Sequence, residues 1–101
     1  MPKGYVILTE QVHDPKGMEA YGQAARASLA EYAAKVLVVD SHVEILEGEW
    51  HGTQTVIVEY ESVEKAREWY ESELYQGALK LRRAAADCSV VIASGFAPGP
   101  Q

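Results

Sequence analysis

Carboxylates inside strand-like runs are the residues of this chain with the clearest chemical meaning. Gly4 to Val12 alternates Tyr5, Ile7, Thr9 and Gln11 with Val6, Leu8, Glu10 and Val12, and Gln54 to Glu61 alternates Val56, Val58 and Tyr60 with Thr55, Ile57 and Glu59. A carboxylate in such a run either leaves the core or is paired within it, because burying an unpaired charge is costly. Glu10 and Glu59 each interrupt an otherwise apolar face. Turned inward, either becomes the partner of a cation or a general base of raised pKa; turned outward, it is a solvated edge charge, as Glu44 and Glu47 can also be. Arg82 and Arg83 carry the matching charge. They read as an anion clamp for a carboxylated ligand or as cations favourably placed near a helix C-terminus. Consecutive helical residues point about 100° apart, so at most one of them faces a pocket, and Arg82 is on the Tyr75 side.

Aromatic residues with polar tips accompany these charges. Tyr5, Tyr21, Tyr32, Tyr60, Trp69, Tyr70 and Tyr75 lie on predicted elements, and Trp50 and His51 lie on a loop. Apolar walls with a few hydroxyls suit a small-molecule pocket. The alternative is that Tyr21, Tyr32 and Tyr70 pack a helix onto a sheet with their hydroxyls at the rim. In the catalytic reading Tyr5 and Tyr21 orient a ligand, Arg82 pairs with its anion, Glu59 or His51 moves a proton, and Trp50 and Trp69 wall the pocket. Other chemistries lack their residues. His13, His42 and His51 fall in predicted turns or loops with no His-x-x-x-His pair, which speaks against a metal site or haem. Neither a phosphate-cradling glycine loop nor a Gly-x-Ser-x-Gly elbow is present, and Cys88 in an apolar strand reads as inert. No cofactor is expected.

The elements that position these residues follow from periodicity. Asp14 and Pro15 open a helix, with Met18, Tyr21, Ala25, Leu29 and Tyr32 as its buried stripe to about Ala34 and Gly17 and Gly22 as weak points. Lys35–Asp40 and Val43–Glu47 read as short strands around a tight hairpin at Ser41-His42. A loop over Gly48–Gly52 then leads to the Gln54–Glu61 strand. Ser62 caps a second helix with Val63, Ala66 and Tyr70 inward; the apolar phase shifts near Ser72, and Leu74, Ala78, Leu81 and Ala85 form the next stripe. Cys88–Ser94 is the last strand, and the Pro- and Gly-rich end reads as a flexible tail over 96–101.

The 101 residues, 48% hydrophobic and 24% charged, suit one domain over 1–95. Nine Lys and Arg against fifteen Asp and Glu leave a net charge of −6, which disfavours nucleic acid and anionic membrane surfaces as partners. With a single cysteine and no apolar signal segment after Met1-Pro2-Lys3, a cytoplasmic protein is expected. The order β-α-β-β-α-β builds a ferredoxin-like α+β fold, a four-stranded antiparallel sheet with its helices on one face. The other face stays bare, and strands this apolar make it an interface, most simply that of a homodimer packed sheet to sheet.

The opening Lys3-Gly4-Tyr5, the stretch VEILEGEW from Val43 to Trp50, and the run from Ser62-Val63-Glu64 through Trp69-Tyr70 to Tyr75-Gln76 and Arg82-Arg83 resemble the DUF1330 family of small bacterial proteins. The resemblance spans Pro2 to about Gly95 and implies a dimeric α/β barrel. The family name records an unassigned function, and the wider superfamily holds cofactor-free monooxygenases, lactone isomerases, haem proteins and small-molecule regulators. Two functions stand side by side: cofactor-free acid-base chemistry on a small aromatic or carboxylated metabolite, or a non-catalytic ligand-sensing or structural homodimer. An enzyme needs polar groups converging in a cavity; a structural dimer has that space filled by side chains.

Overall fold

The computed structural model describes residues 2–96. Its elements are β1 (Gly4–Val12), α1 (Pro15–Glu31), β2 (Lys35–Asp40), β3 (Gln54–Tyr60), α2 (Val63–Glu71), α3 (Glu73–Ala85) and β4 (Ala86–Ser94). The strands form one antiparallel sheet in the order β2-β3-β1-β4, the ferredoxin-like arrangement with the second helix split in two. Ser72 makes the split: its hydroxyl donates to Trp69 O (2.7 Å) to end α2 and accepts from Tyr75 N (3.2 Å) to start α3. Asp14 caps α1 through Gly17 N, and Ser62 caps α2 through Lys65 N.

The β1 register assigns the faces. Val6, Leu8 and Glu10 stand opposite Val58, Val56 and Gln54 of β3 and Ile92, Val90 and Cys88 of β4, and they point to the helices. Tyr5, Ile7 and Thr9, with Glu59, Ile57 and Thr55 and with Ala93, Val91 and Ser89, make the open face. The core lies on the helix side around Trp69, whose ring centroid is 4.0 Å from that of Tyr75 and 5.3 Å from that of Tyr60.

Four expectations need correction. Val43–Glu47 is not a strand; the hairpin joins β2 directly to β3 across the connection 41–53. Ser41-His42 lacks the Asn or Gly that a two-residue turn demands, and Asp40 Oδ1 instead accepts His42 N (2.7 Å) to begin a wide loop, which turns back at Gly48 and Gly52, both at positive φ. The inner stripe of α3 is Tyr75, Ala78, Leu79, Arg82 and Ala85, while Leu74 and Leu81 are exposed; the new N-cap at Ser72 turns the aromatic ring and the arginine stem inward. In α2 it is Trp69, not Tyr70, that is fully buried beside Ala66. Helix α1 ends at Glu31, before the expected Ala34, because Ala33 takes a left-handed conformation (φ 51°). From Ala97 on, the expected tail lies outside the described residues. Among those described, no helix is long and apolar enough to cross a membrane.

Candidate functional site

Between α1 and the β2-β3-β1 side of the sheet runs a cleft of about 470 Å³. The sheet contributes Leu8, Val56, Val58, Val36 and Val39; α1 contributes Met18, Gly22, Ala25 and Leu29; Trp69 closes the inner wall. Gly22 leaves room here, since a Cβ at that position would meet nothing within 4 Å. Trp69 is held by its indole Nε1–H, which donates to Ser28 Oγ (3.0 Å), while Ser28 Oγ–H donates to Ala25 O (2.7 Å).

The polar end of this apolar slot is Glu10. Only 1% exposed, its carboxylate accepts from Gln54 Nε2 (2.9 Å) and, weakly, from the Cys88 thiol (3.8 Å). Gln54 is oriented in turn by Ser41, whose hydroxyl donates to Gln54 Oε1 (3.2 Å). Burial pushes the Glu10 pKa above the usual carboxylate range, against the downward pull of Gln54, of the Arg82 charge and of Cys88. Tyr21 also lines the cleft, and its hydroxyl lies 2.8 Å from that of Tyr75. Burial holds the phenols of both Tyr21 and Tyr75 above their ordinary pKa. The arrangement offers a proton acceptor and a hydroxyl donor at one end of a hydrophobic slot, with Arg26 on its flank.

Arg82 lies behind this wall rather than on it. It is 3% exposed and its Nε has no hydrogen-bond partner. Burial alone would lower its pKa, but Tyr75, Cys88 and Tyr21 around it raise it on balance. Cys88 is half-buried, its thiol pushed up by burial and drawn down by Arg82.

The sequence candidates therefore do not converge on one pocket. Tyr21 and Trp69 line the cleft. Tyr5, Glu59, His51 and Trp50 gather on the open face: Tyr5 Oη donates to Glu59 Oε2 (2.9 Å), Thr9 Oγ1 and His51 Nδ1 are 2.8 Å apart, and Trp50 Nε1 donates to Thr55 Oγ1 (2.9 Å). The bond to Glu59, more than burial or the charge of Glu59, raises the Tyr5 pKa. A shared pocket between sheet and helices for all of these residues is thus corrected, and so is a direct clamp by Arg82, because the sheet itself separates the two groups and α3 keeps Arg82 inside. Gln54 and Arg26 were not singled out by the sequence. In the sequence Glu10 stands beside Glu59 as a carboxylate candidate, with the proton-moving role assigned to Glu59 or His51.

This fold places the protein in the ferredoxin-like α+β class. Residues 3–96 match the family model described as a domain of unknown function, DUF1330, and the chain belongs to that family. No curated protein matches it. Among solved structures, it is similar to a protein of unknown function from Rhodopseudomonas palustris, with 21% identity, a TM-score of 0.75, and coverage of 96% of this chain and 85% of that one. It is similar also to SnoaB, a cofactor-independent oxygenase from Streptomyces nogalater, with 13% identity, a TM-score of 0.67 and full coverage of both chains (100% each). A dimeric ferredoxin-like protein of unknown function from Thermobifida fusca matches with 13% identity, a TM-score of 0.64, and coverage of 92% of this chain and 91% of that one. At these identities the likeness carries the fold alone.

Proposed function

We propose that this chain is the protomer of a homodimer that binds a compact, ring-shaped metabolite in the α1–sheet cleft, where Glu10 accepts an acidic proton from a phenol or enol without any cofactor. The single observation that carries this is Glu10, 1% exposed, at the end of a cleft walled mostly by aliphatic and aromatic side chains, with Glu19, Arg26 and Gln54 as its other polar lining. Space that a structural dimer would fill is open here, with a carboxylate and the Tyr21 hydroxyl converging on it, so the catalytic reading is favoured over the purely structural one. Arg26 is the cation that a carboxylate on the ligand would meet. The fold shared with a cofactor-independent oxygenase fits a reaction that begins by making an electron-rich oxyanion. Exposed Val38 and Val91 beside Ile7 and Ile57 on the open face, together with the dimeric description of the similar Thermobifida fusca protein, support pairing sheet to sheet. In this reading Tyr5, Glu59, His51 and Trp50 belong to the interface.

Titration with 4-nitrophenol, followed by calorimetry for binding and by absorbance for ionisation of the bound probe, tests the reading. Wild type should bind the probe and ionise it, Glu10→Gln should bind it without ionising it, and Gly22→Phe should not bind. Binding unaffected by Gly22→Phe would remove the cleft as the site.

A further inference from the structure

Resting on the cleft reading, the geometry points to Tyr21, Tyr75 and Arg82 as a hydrogen-bonded relay that stabilises negative charge on the ligand: Tyr21 donates to the ligand's oxyanion, Tyr75 to Tyr21, and Arg82 supplies the cation from behind. Four observations converge on it. Tyr21 alone of the three lines the cleft, and the two phenol oxygens are 2.8 Å apart. Tyr75 is fully buried at 0% exposure, so its hydroxyl reaches the ligand only through Tyr21. Tyr75 and Arg82 are seven residues apart on the inner face of α3, and a long helical side chain runs back toward the helix N-terminus, which brings the guanidinium toward Tyr75.

Arg82 also needs such a role to account for its burial. A sequestered guanidinium is costly unless its donors and its charge are answered, and its Nε has no partner. The groups that favour its charge are the phenols of Tyr75 and Tyr21 and the Cys88 thiol, and the Glu10 carboxylate also feels that charge. Arg82 in turn draws the acidity of Tyr75 toward ionisation against the effect of burial. When Glu10 takes a proton it gives up the negative charge that Arg82 feels at rest, and the ligand's oxygen becomes the anion that answers this cation. Chains of hydrogen bonds polarise one another in a low-dielectric interior, so the charge of Arg82 is felt at Tyr21 without contact. The proton moves from the ligand's O–H to a Glu10 oxygen; the relay hydroxyls keep theirs and only shorten their bonds. Arg82 and Tyr75 are positioning residues, with Tyr21 in contact with the ligand. A phenol or enol is thereby the ligand class, since only an ionisable oxygen uses both Glu10 and the relay.

The test reads the ionisation of bound 4-nitrophenol by its absorbance across pH. In wild type the bound probe should ionise at lower pH than in Tyr75→Phe or Arg82→Gln, each variant weakening its acidity about 3- to 10-fold. The double variant should shift it no further than the larger single change, because both act through one chain. Tyr75→Phe keeps the ring in the core and so decides the matter even if Arg82→Gln does not fold. If Gly22→Phe abolishes binding while both variants leave the ionisation unchanged, the relay is wrong and the cleft stands. Additive shifts would place Arg82 on the ligand directly and also overturn it. If Gly22→Phe leaves binding intact, or wild type does not bind the probe, the cleft reading fails and takes the relay with it.

Discussion

Two glycines of α1 make the shape of the cleft testable by stability alone. Glycine inside a helix is about 0.8–1.0 kcal/mol less favourable than alanine, so Gly→Ala should stabilise wherever the new methyl has room. At Gly22 it meets nothing within 4 Å, and the full gain is expected: about 1 kcal/mol, or a Tm higher by about 4–8 °C for a chain of this size. At Gly17 the same methyl would lie 2.8 Å from Asp14 Oδ2 and 2.9 Å from Ala85 Cβ. There it displaces the capping carboxylate and presses α1 away from α3. Loss of a cap alone costs about 1 kcal/mol, which cancels the propensity gain before any overpacking is counted, so Gly17→Ala should lower Tm. Thermal unfolding followed by circular dichroism, at one fixed protomer concentration, reads both variants. One substitution in one helix thus has opposite signs, set by the open cleft beside Gly22 and by Asp14 and Ala85 beside Gly17. A Gly22→Ala protein that melts below wild type would mean that the space beside Gly22 is filled, and the cleft argument would fall.

Three further outcomes follow from named contacts. Ser28→Ala removes the acceptor of the buried Trp69 indole N–H and should cost about 1–3 kcal/mol in urea unfolding; an unchanged midpoint would show that the bond does not hold Trp69. Because the Glu10 pKa is raised in the fold above its ordinary 4.5, the native state keeps this proton to higher pH than the unfolded chain. Its contribution to stability is therefore full below that ordinary value and is lost as pH rises through the elevated one. Glu10→Gln should flatten this decline and be the more stable form at the alkaline end; parallel stability–pH curves for the two proteins would refute the burial argument. Val91→Lys, on the open face opposite Ile7, should convert a species of twice the chain mass into monomer in sedimentation equilibrium, and a wild type already monomeric at micromolar concentration would contradict the sheet-to-sheet pairing.

Strand alternation and helix caps carried most of the fold into view. Asp14 and Ser62 each cap a helix at the expected position because a short oxygen side chain answers free N–H groups wherever the chain leaves a strand or turn, and the break expected near Ser72 is made by the same kind of cap. Val43–Glu47 misled because its β-branched content resembles a strand, whereas edge pairing is decided by the turn, and Ser41-His42 cannot make a tight one. The site was half legible. Glu10 and Glu59 look alike as carboxylates that interrupt apolar faces, and only the register of β1 with β3 and β4 separates them, placing Glu10 with Val6 and Leu8 on the helix side and Glu59 on the open face. Arg82 is buried and Arg83 exposed, but the depth of Arg82 behind Tyr75 and Tyr21 depends on the packing of α3 against α1, which no local pattern encodes. His51 and Trp50 are brought to the open face by a loop whose path depends on Gly48 and Gly52.

The most direct test of the central claim is a crystal structure of the protein soaked with 4-nitrophenol. The ring should lie in the cleft between Met18, Gly22 and Val56, with its oxygen between Glu10 and Tyr21. A ring bound instead on the open face among Tyr5, Glu59, His51 and Trp50, with the cleft empty, would contradict the account.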